Sequence, residues 1–222
     1  MNQLISGIFI YIVIVLSATF HEYAHGFMAF QLGDDTAKRA GRLTLNPFAH
    51  LDMFGTVIVP ILFILTAGSF VGWAKPVPYN PFNLSDKKFG SLKVAIAGPA
   101  ANITIALIFG LSIRFAGGLF INGIALELVS FIVYVNIFLA LFNLIPVPPL
   151  DGSKILFDLI PASTRVLEGV GFVGIFIALA FSFYVLSPIA YTVFKLITGV
   201  ALFSHRLTFA LECYYSMFTI LL

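Results

Sequence analysis

Long apolar runs, separated by short polar connections, make up most of this chain. They cover Leu4–Leu32, Phe54–Val71, Leu92–Ile113, Leu128–Ile160, Gly169–Leu186 and Pro188–Phe203. A bilayer core takes about 20 apolar residues of helix. The pattern therefore predicts an all-α polytopic membrane protein with about five to six transmembrane helices. Pro146, Pro148 and Pro149 interrupt Leu128–Ile160. Proline removes backbone donors, and membranes tolerate the resulting irregular backbone only inside protein or beside water. The last two runs meet at Ser187-Pro188 and read as two spans or as one span with a surface helix. The tail, 205–222, stays unassigned.

The basic residues change the topology this pattern implies. Lys38, Arg39 and Arg42 follow the first run; Lys75, Lys87, Lys88 and Lys93 lie between the second and third; Lys154 and Arg165 follow the proline break. Lys and Arg mark the cytoplasmic face. If all three groups lie there, Phe54–Val71 does not cross but dips in and returns, as Pro60, Gly55, Gly68 and Gly72 permit. Depth agrees. His25 lies about eight residues, roughly 12 Å, from the end of the first span, and Asp151 lies ten residues, roughly 15 Å, from Pro161. The two match in depth only if both helices run from outside to inside, which leaves room for one span between them.

Composition confirms the class. The 222 residues are 60% hydrophobic and 10% charged, where a soluble domain carries about a quarter charged residues. A net charge of +2 without a basic tract points away from nucleic acid. The lone Cys213 forbids an internal disulfide. The N-terminus has no basic region before its apolar stretch and reads as a retained helix, not a signal peptide. The expectation is one membrane-embedded domain, 1–222, with a core at about 4–161 and C-terminal helices within 169–203.

The chemistry concentrates in His21-Glu22-Tyr23-Ala24-His25, inside the first run. Histidines four apart share one helix face and can grip one metal, and a glutamate beside the first can act as base on a metal-bound water. With four His and four Glu in the chain, shuffling gives this pattern roughly once in a thousand chains. Two histidines merely hydrogen-bonded between helices would leave Glu22 an unpaired acid at membrane depth, which is costly. Catalytic zinc takes three protein ligands. Candidates for the third are Asp151, Asp158, Glu127, Glu168, Glu212, His50 and His205. Asp151 alone combines an unwound backbone, an adjacent glycine and matching depth. Capping of the helix that restarts at Gly152 is its other reading. Asn102 reads equally as a donor to an oxyanion or peptide backbone and as an interhelical hydrogen bond. Asn143 reads as satisfying carbonyls freed by the break, and Lys154 and Asp158 as lining a water path or as an i,i+4 ion pair. Trp73 reads as an interface anchor.

The chain resembles the site-2 proteases, zinc intramembrane metalloproteases of peptidase family M50. The matching residues are His21-Glu22-Tyr23-Ala24-His25, Gly98-Pro99-Ala100-Ala101-Asn102, and Asn143-Leu144-Ile145-Pro146-Val147-Pro148-Pro149-Leu150-Asp151-Gly152. Arg42-Leu43-Thr44-Leu45-Asn46-Pro47 and Gly72-Trp73-Ala74-Lys75-Pro76-Val77-Pro78 resemble a small prokaryotic branch without an appended PDZ or CBS domain. The likeness covers about Ser17–Pro161. It implies one zinc held by His21, His25 and Asp151, with Glu22 as base and Asn102 holding substrate or oxyanion. It implies strands and a membrane-embedded segment between Leu43 and Asn83, a transmembrane protein as substrate, and a prokaryotic cell membrane with the site nearer the cytoplasm. A metal-binding membrane protein without catalysis, such as an ion carrier, is the alternative, and a zinc peptidase acting on soluble peptides at the cytoplasmic surface is a third.

Overall fold

The structure, a computed structural model, describes residues 3–59, 62, 75–116, 123–160, 174, 177–178 and 180–200. Its α-helices include α1 (Gln3–Gln31), α2 (Thr36–Arg39), α3 (Gly90–Ala116), α4 (Gly123–Asn143), α5 (Asp151–Leu159) and α6 (Ser187–Thr198), and π-helical turns cover Met53–Ile58 and Ser182–Leu186. Among the described residues three stretches are long and apolar enough to cross a membrane: Ile8–Gln31, Gly90–Ala116 and Gly123–Asn143. Of the expected later spans, Gly169–Leu186 is described at 174, 177–178 and 180–186, and Pro188–Phe203 as far as 200. There Tyr184–Thr198 is an apolar helix shorter than a crossing needs. Trp73, Arg165, Glu168, His205, Glu212 and the tail lie outside the described residues.

Helix α1 carries two stripes at four-residue spacing, which puts each on one face. Val13, Ser17, His21, His25 and Ala29 are buried, while Ile8, Ile12, Leu16 and Phe20 are exposed. An exposed aliphatic stripe of this length suits lipid, not water. The buried stripe packs on α3, close enough that a Cβ on Gly98 would stand 2.6 Å from His21 Nε2. Helices α3, α4 and α6 share a core of Ala106, Ile113, Val133, Tyr134, Ile137, Ala190 and Phe194. Helix α3 starts at Gly90 because Asp86 Oδ1 accepts from the N–H groups of Lys88 and Phe89, at 3.1 and 2.9 Å. Those are donors that a helix start leaves without partners.

The proline break lies where the sequence put it. Helix α4 ends at Asn143 and α5 begins at Asp151. Between them the backbone closes tight turns, with Val147 N–H donating to Ile145 O at 2.8 Å and Leu150 N–H to Val147 O at 2.9 Å. Asn143 takes a different partner from the expected one: Nδ2 donates to Leu139 O, back along its own helix, at 2.9 Å. Gly152 is required here, since a Cβ would meet Ile145 O at 2.5 Å and Leu144 O still closer.

Within the described part of 43–83 there is no strand, which corrects that expectation. Pro47, Pro76, Pro78 and Pro81 each lack a ladder donor, and the backbone closes on side chains instead. Asn46 and Asn80 cap single 3-10 turns, and Arg42 Nη2 donates to Lys75 O at 2.7 Å. Residues 60–61 and 63–71 of the expected re-entrant segment, Phe54–Val71, lie outside the described residues. Its flanks do meet: Lys75 N–H donates to His50 O at 2.9 Å.

Candidate metal centre

His21 and His25 stand one turn apart on the buried face of α1, and Asp151 opens α5 directly beneath them. His21 Nε2 lies 3.0 Å and His25 Nε2 2.9 Å from Asp151 Oδ2, and the two nitrogens are 3.0 Å apart. All three residues are buried. Among the described residues no other group of His, Cys, Asp and Glu gathers three ligand atoms this way.

Each imidazole is held by its other nitrogen. His25 Nδ1 is 2.7 Å from Val94 O, a backbone carbonyl that can only accept. That nitrogen therefore carries a proton, and in the neutral imidazole Nε2 presents a lone pair. His21 Nδ1 is 2.6 Å from Asn102 Oδ1 and donates in the same way. With both rings neutral, two lone pairs and a carboxylate oxygen converge at about 3 Å with no proton between them. Such a cluster is repulsive and buried unless a cation lies at its centre. Zinc ligands about 2.0–2.2 Å from the ion in a tetrahedron are about 3.3–3.6 Å apart, so these atoms need to open by only a few tenths of an ångström to hold one. The donor set, two imidazole nitrogens and one carboxylate, also suits zinc.

The capping alternative for Asp151 does not hold. Leu150 is the N-cap of α5, without a side-chain cap bond. Ser153 Oγ donates to Leu150 O at 2.7 Å instead. Asp151 Oδ1 is taken by Lys154 Nζ at 2.9 Å, which leaves Oδ2 to the histidines. Lys154 therefore pairs with Asp151 at i,i−3, not with Asp158, whose buried Oδ2 has no partner among the described residues. His50 lies away from the cluster, with Nε2 donating to Thr44 O at 2.8 Å.

Glu22, next to His21, accepts from Val77 N–H through Oε2 at 2.7 Å. Asn102 is fully buried behind His21, with its Nδ2 hydrogens directed at Asn136 Oδ1, 2.9 Å, and Ser17 O, 3.3 Å. Ser17, Val77, Val94 and Asn136 are the site neighbours that the sequence reading missed. Ser17 carried a usable signal, since it precedes His21 by four residues. Asn136 is an amide in the middle of an apolar span, where a polar side chain calls for a partner. Val77 and Val94 act through backbone atoms and leave no side-chain signal.

Comparison with known proteins agrees with this geometry. Residues 112–186 match the family model "Peptidase family M50". The chain is 41% identical over 176 residues to "Putative zinc metalloprotease YwhC" of Bacillus subtilis, covering 74% of this chain and 77% of that protein. It is 32% identical over 152 residues to "Putative zinc metalloprotease Rip2" of Mycolicibacterium smegmatis, covering 66% of this chain and 56% of that protein. It is 32% identical over 103 residues to "Putative zinc metalloprotease MJ0611" of Methanocaldococcus jannaschii, covering 46% of this chain and 50% of that protein. The chain thus spans about half the length of the latter two. No solved structure matches it at a significant level. With an H-E-x-x-H helix, a distant aspartate on the same site, three apolar helices and these relatives, the chain is an integral membrane protein that belongs to peptidase family M50.

Proposed function

We propose that the chain is an intramembrane zinc metallopeptidase that hydrolyses peptide bonds within or next to transmembrane segments of membrane proteins. One observation carries this reading: ligand atoms of His21, His25 and Asp151 converge inside the helix bundle, with Glu22 beside them. Zinc, when bound, supplies Lewis acidity and brings the pKa of a coordinated water toward neutrality. His21 and His25 bind through Nε2, and Asp151 through Oδ2 while Lys154 occupies Oδ1. Glu22 takes the proton of the attacking water and returns it to the leaving amine nitrogen. Val77 N–H on Oε2 fixes the carboxylate and leaves Oε1 for that proton. Asn102 acts through His21 in this reading, because both its amide hydrogens are already engaged.

The membrane placement rests on the span carrying His21 and His25 and on the exposed stripe beside it. The re-entrant reading of Phe54–Val71 is supported by the His50–Lys75 backbone bond. His50 and Lys75 meet, whereas the two ends of a crossing segment lie about 30 Å of hydrocarbon apart. The basic residues near Arg42 and Lys75 favour a cytoplasmic site in a prokaryotic cell membrane. An ion carrier needs polar groups through the full thickness. The α3, α4 and α6 packing of Ile113, Val133, Ile137 and Phe194 argues against one.

The test uses the full chain in vesicles with a panel of single-span substrates and their soluble juxtamembrane peptides. The wild type is expected to cleave the membrane substrates. Glu22→Gln is expected to lose at least about 100-fold in rate and to keep its metal. Wild-type cleavage by Glu22→Gln would remove the base, and cleavage of soluble peptides alone would remove the intramembrane assignment.

A further inference from the structure

Behind His21 runs a chain of buried polar groups that no proton transfer in the proposed reaction uses. Asn136, on α4, donates through Nδ2 to Ile132 O at 2.9 Å and to Ser17 Oγ at 3.0 Å. Its Oδ1 accepts from Asn102 Nδ2 at 2.9 Å. Asn102, on α3, donates its other hydrogen to Ser17 O at 3.3 Å, and its Oδ1 faces His21 Nδ1 at 2.6 Å. Asn102 and Asn136 have no exposed surface, and Ser17 is 4% exposed.

The direction of this chain is fixed at one end. Ile132 O is a carbonyl and can only accept, so the Asn136 amide must turn its NH2 toward it. That turns Asn136 Oδ1 toward Asn102. Asn102 must then present its own NH2 to Asn136 and Ser17 O, which leaves only its Oδ1 for His21. His21 Nδ1 must donate, so in the neutral ring Nε2 is the unprotonated nitrogen and can serve as a ligand. An inverted Asn102 amide would instead place NH2 against Nδ1 and favour the proton on Nε2, where a metal binds.

We propose that Ser17 and Asn136 are positioning residues of the metal centre. Acting through Asn102 on α3, Asn136 from α4 and Ser17 from one turn earlier on α1 set the tautomer and ring orientation of His21. The inference rests on the metal reading of His21, His25 and Asp151 and adds what prepares one ligand. Outer partners of metal-bound histidines commonly alter metal affinity by about 10–100-fold when removed. A cluster that merely clasps three helices would change stability without changing the metal's ligand field.

The experiment uses the full chain in detergent, loaded with Co2+ as a spectroscopic stand-in. Dissociation constants come from chelator competition, and visible absorption reports the ligand field. Asn136→Ala is expected to weaken Co2+ binding about 10–100-fold and to shift the absorption bands. Ser17→Ala is expected to shift both in the same direction, and Ser17→Thr, which keeps the hydroxyl, to return toward wild type. Asn143→Ala is the control, because among the described residues that amide bonds along its own helix. It is expected to leave affinity and spectrum unchanged. Wild-type affinity and spectrum in both Asn136→Ala and Ser17→Ala would overturn the inference. Should Asn136→Ala fail to fold, the Ser17→Ala and Ser17→Thr pair decides by the same two readings. A wild type without bound Co2+, or His25→Ala with undiminished binding, would instead overturn the metal reading, and the inference with it.

Discussion

Val77 N–H donates to Glu22 Oε2 across 2.7 Å, joining residues 55 apart in sequence. The bond ties the proposed base to an extended strap, Lys75–Asn80, that is itself pinned at several points. Lys75 N–H is held by His50 O, Lys75 O by Arg42, and Asn80 N–H by Asp34. Val77 is buried, and a Cβ on Gly26 would stand 2.9 Å from its Cγ1. The geometry of the base is thus set by a loop and by the absence of a side chain on α1.

Removing the donor tests this directly. Val77→Pro keeps an apolar residue in an already proline-rich strap but deletes the N–H. The cleavage rate is expected to fall about 10–100-fold, the loss of one hydrogen bond to a charged group of about 1.5–3 kcal/mol. Metal content is expected to stay unchanged. Gly26→Ala is expected to reduce the rate as well, and Gly26→Ala with Val77→Ala to recover much of it, because the contact is steric. Matched rates of cleavage by wild type, variants and purified double variant would show the strap to be irrelevant to Glu22.

The contact of α3 on α1 predicts an equally local effect. A Cβ on Gly98 would stand 2.6 Å from His21 Nε2 and closer to His25. Gly98→Ala is expected to abolish stoichiometric metal binding while costing about 1–3 kcal/mol of stability, the usual range for overpacking. Metal analysis beside thermal unfolding separates the two. A Gly98→Ala protein with full metal content would contradict the close approach.

The strap's other anchor is titratable. Burial works to raise the Asp34 carboxyl above its ordinary value of 3.8, but hydrogen bonds from Thr36, Asn80 and Asn83 outweigh it and hold the group lower. A lowered folded-state value means the contribution is complete above the ordinary carboxylate range and disappears as pH falls through the depressed value. Protection of the Lys75–Asn80 amides against hydrogen exchange is therefore expected to persist at neutral pH and to fall below about pH 4. Asp34→Ala is expected to show the low-pH protection already at neutral pH. Equal protection in both proteins at pH 7 would remove Asp34 as the anchor.

The His50–Lys75 bond makes a prediction about sidedness. In a chain lacking Cys213, single cysteines at Lys75 and Lys87 are expected to react with a membrane-impermeant reagent from the cytoplasmic side only. Labelling of either from outside would show that Phe54–Val71 crosses.

Much of this was legible in the sequence for a physical reason. His21, Glu22 and His25 lie on one continuous helix, where spacing alone fixes the shared face. The proline break announced itself because Pro146, Pro148 and Pro149 cannot donate. Asp151 could be matched to the histidines by depth, since helical rise converts residue number into distance. Other features had no such rule. Val77 and Val94 contribute backbone atoms, whose partners depend on tertiary packing. The choice of Asp151 over Asp158 for Lys154 is a matter of i,i+3 against i,i+4, which both satisfy on a helix. The strands expected near Leu43–Asn83 came from resemblance, and the prolines there keep the described backbone out of a ladder.

The central claim is the convergence of His21, His25 and Asp151 on one ion, and metal content per chain tests it most directly. Purified wild type and Glu22→Gln are expected to hold one zinc each, and His25→Ala and Asp151→Ala to lose it. A full equivalent of zinc in Asp151→Ala, or none in a folded wild type, would contradict the account.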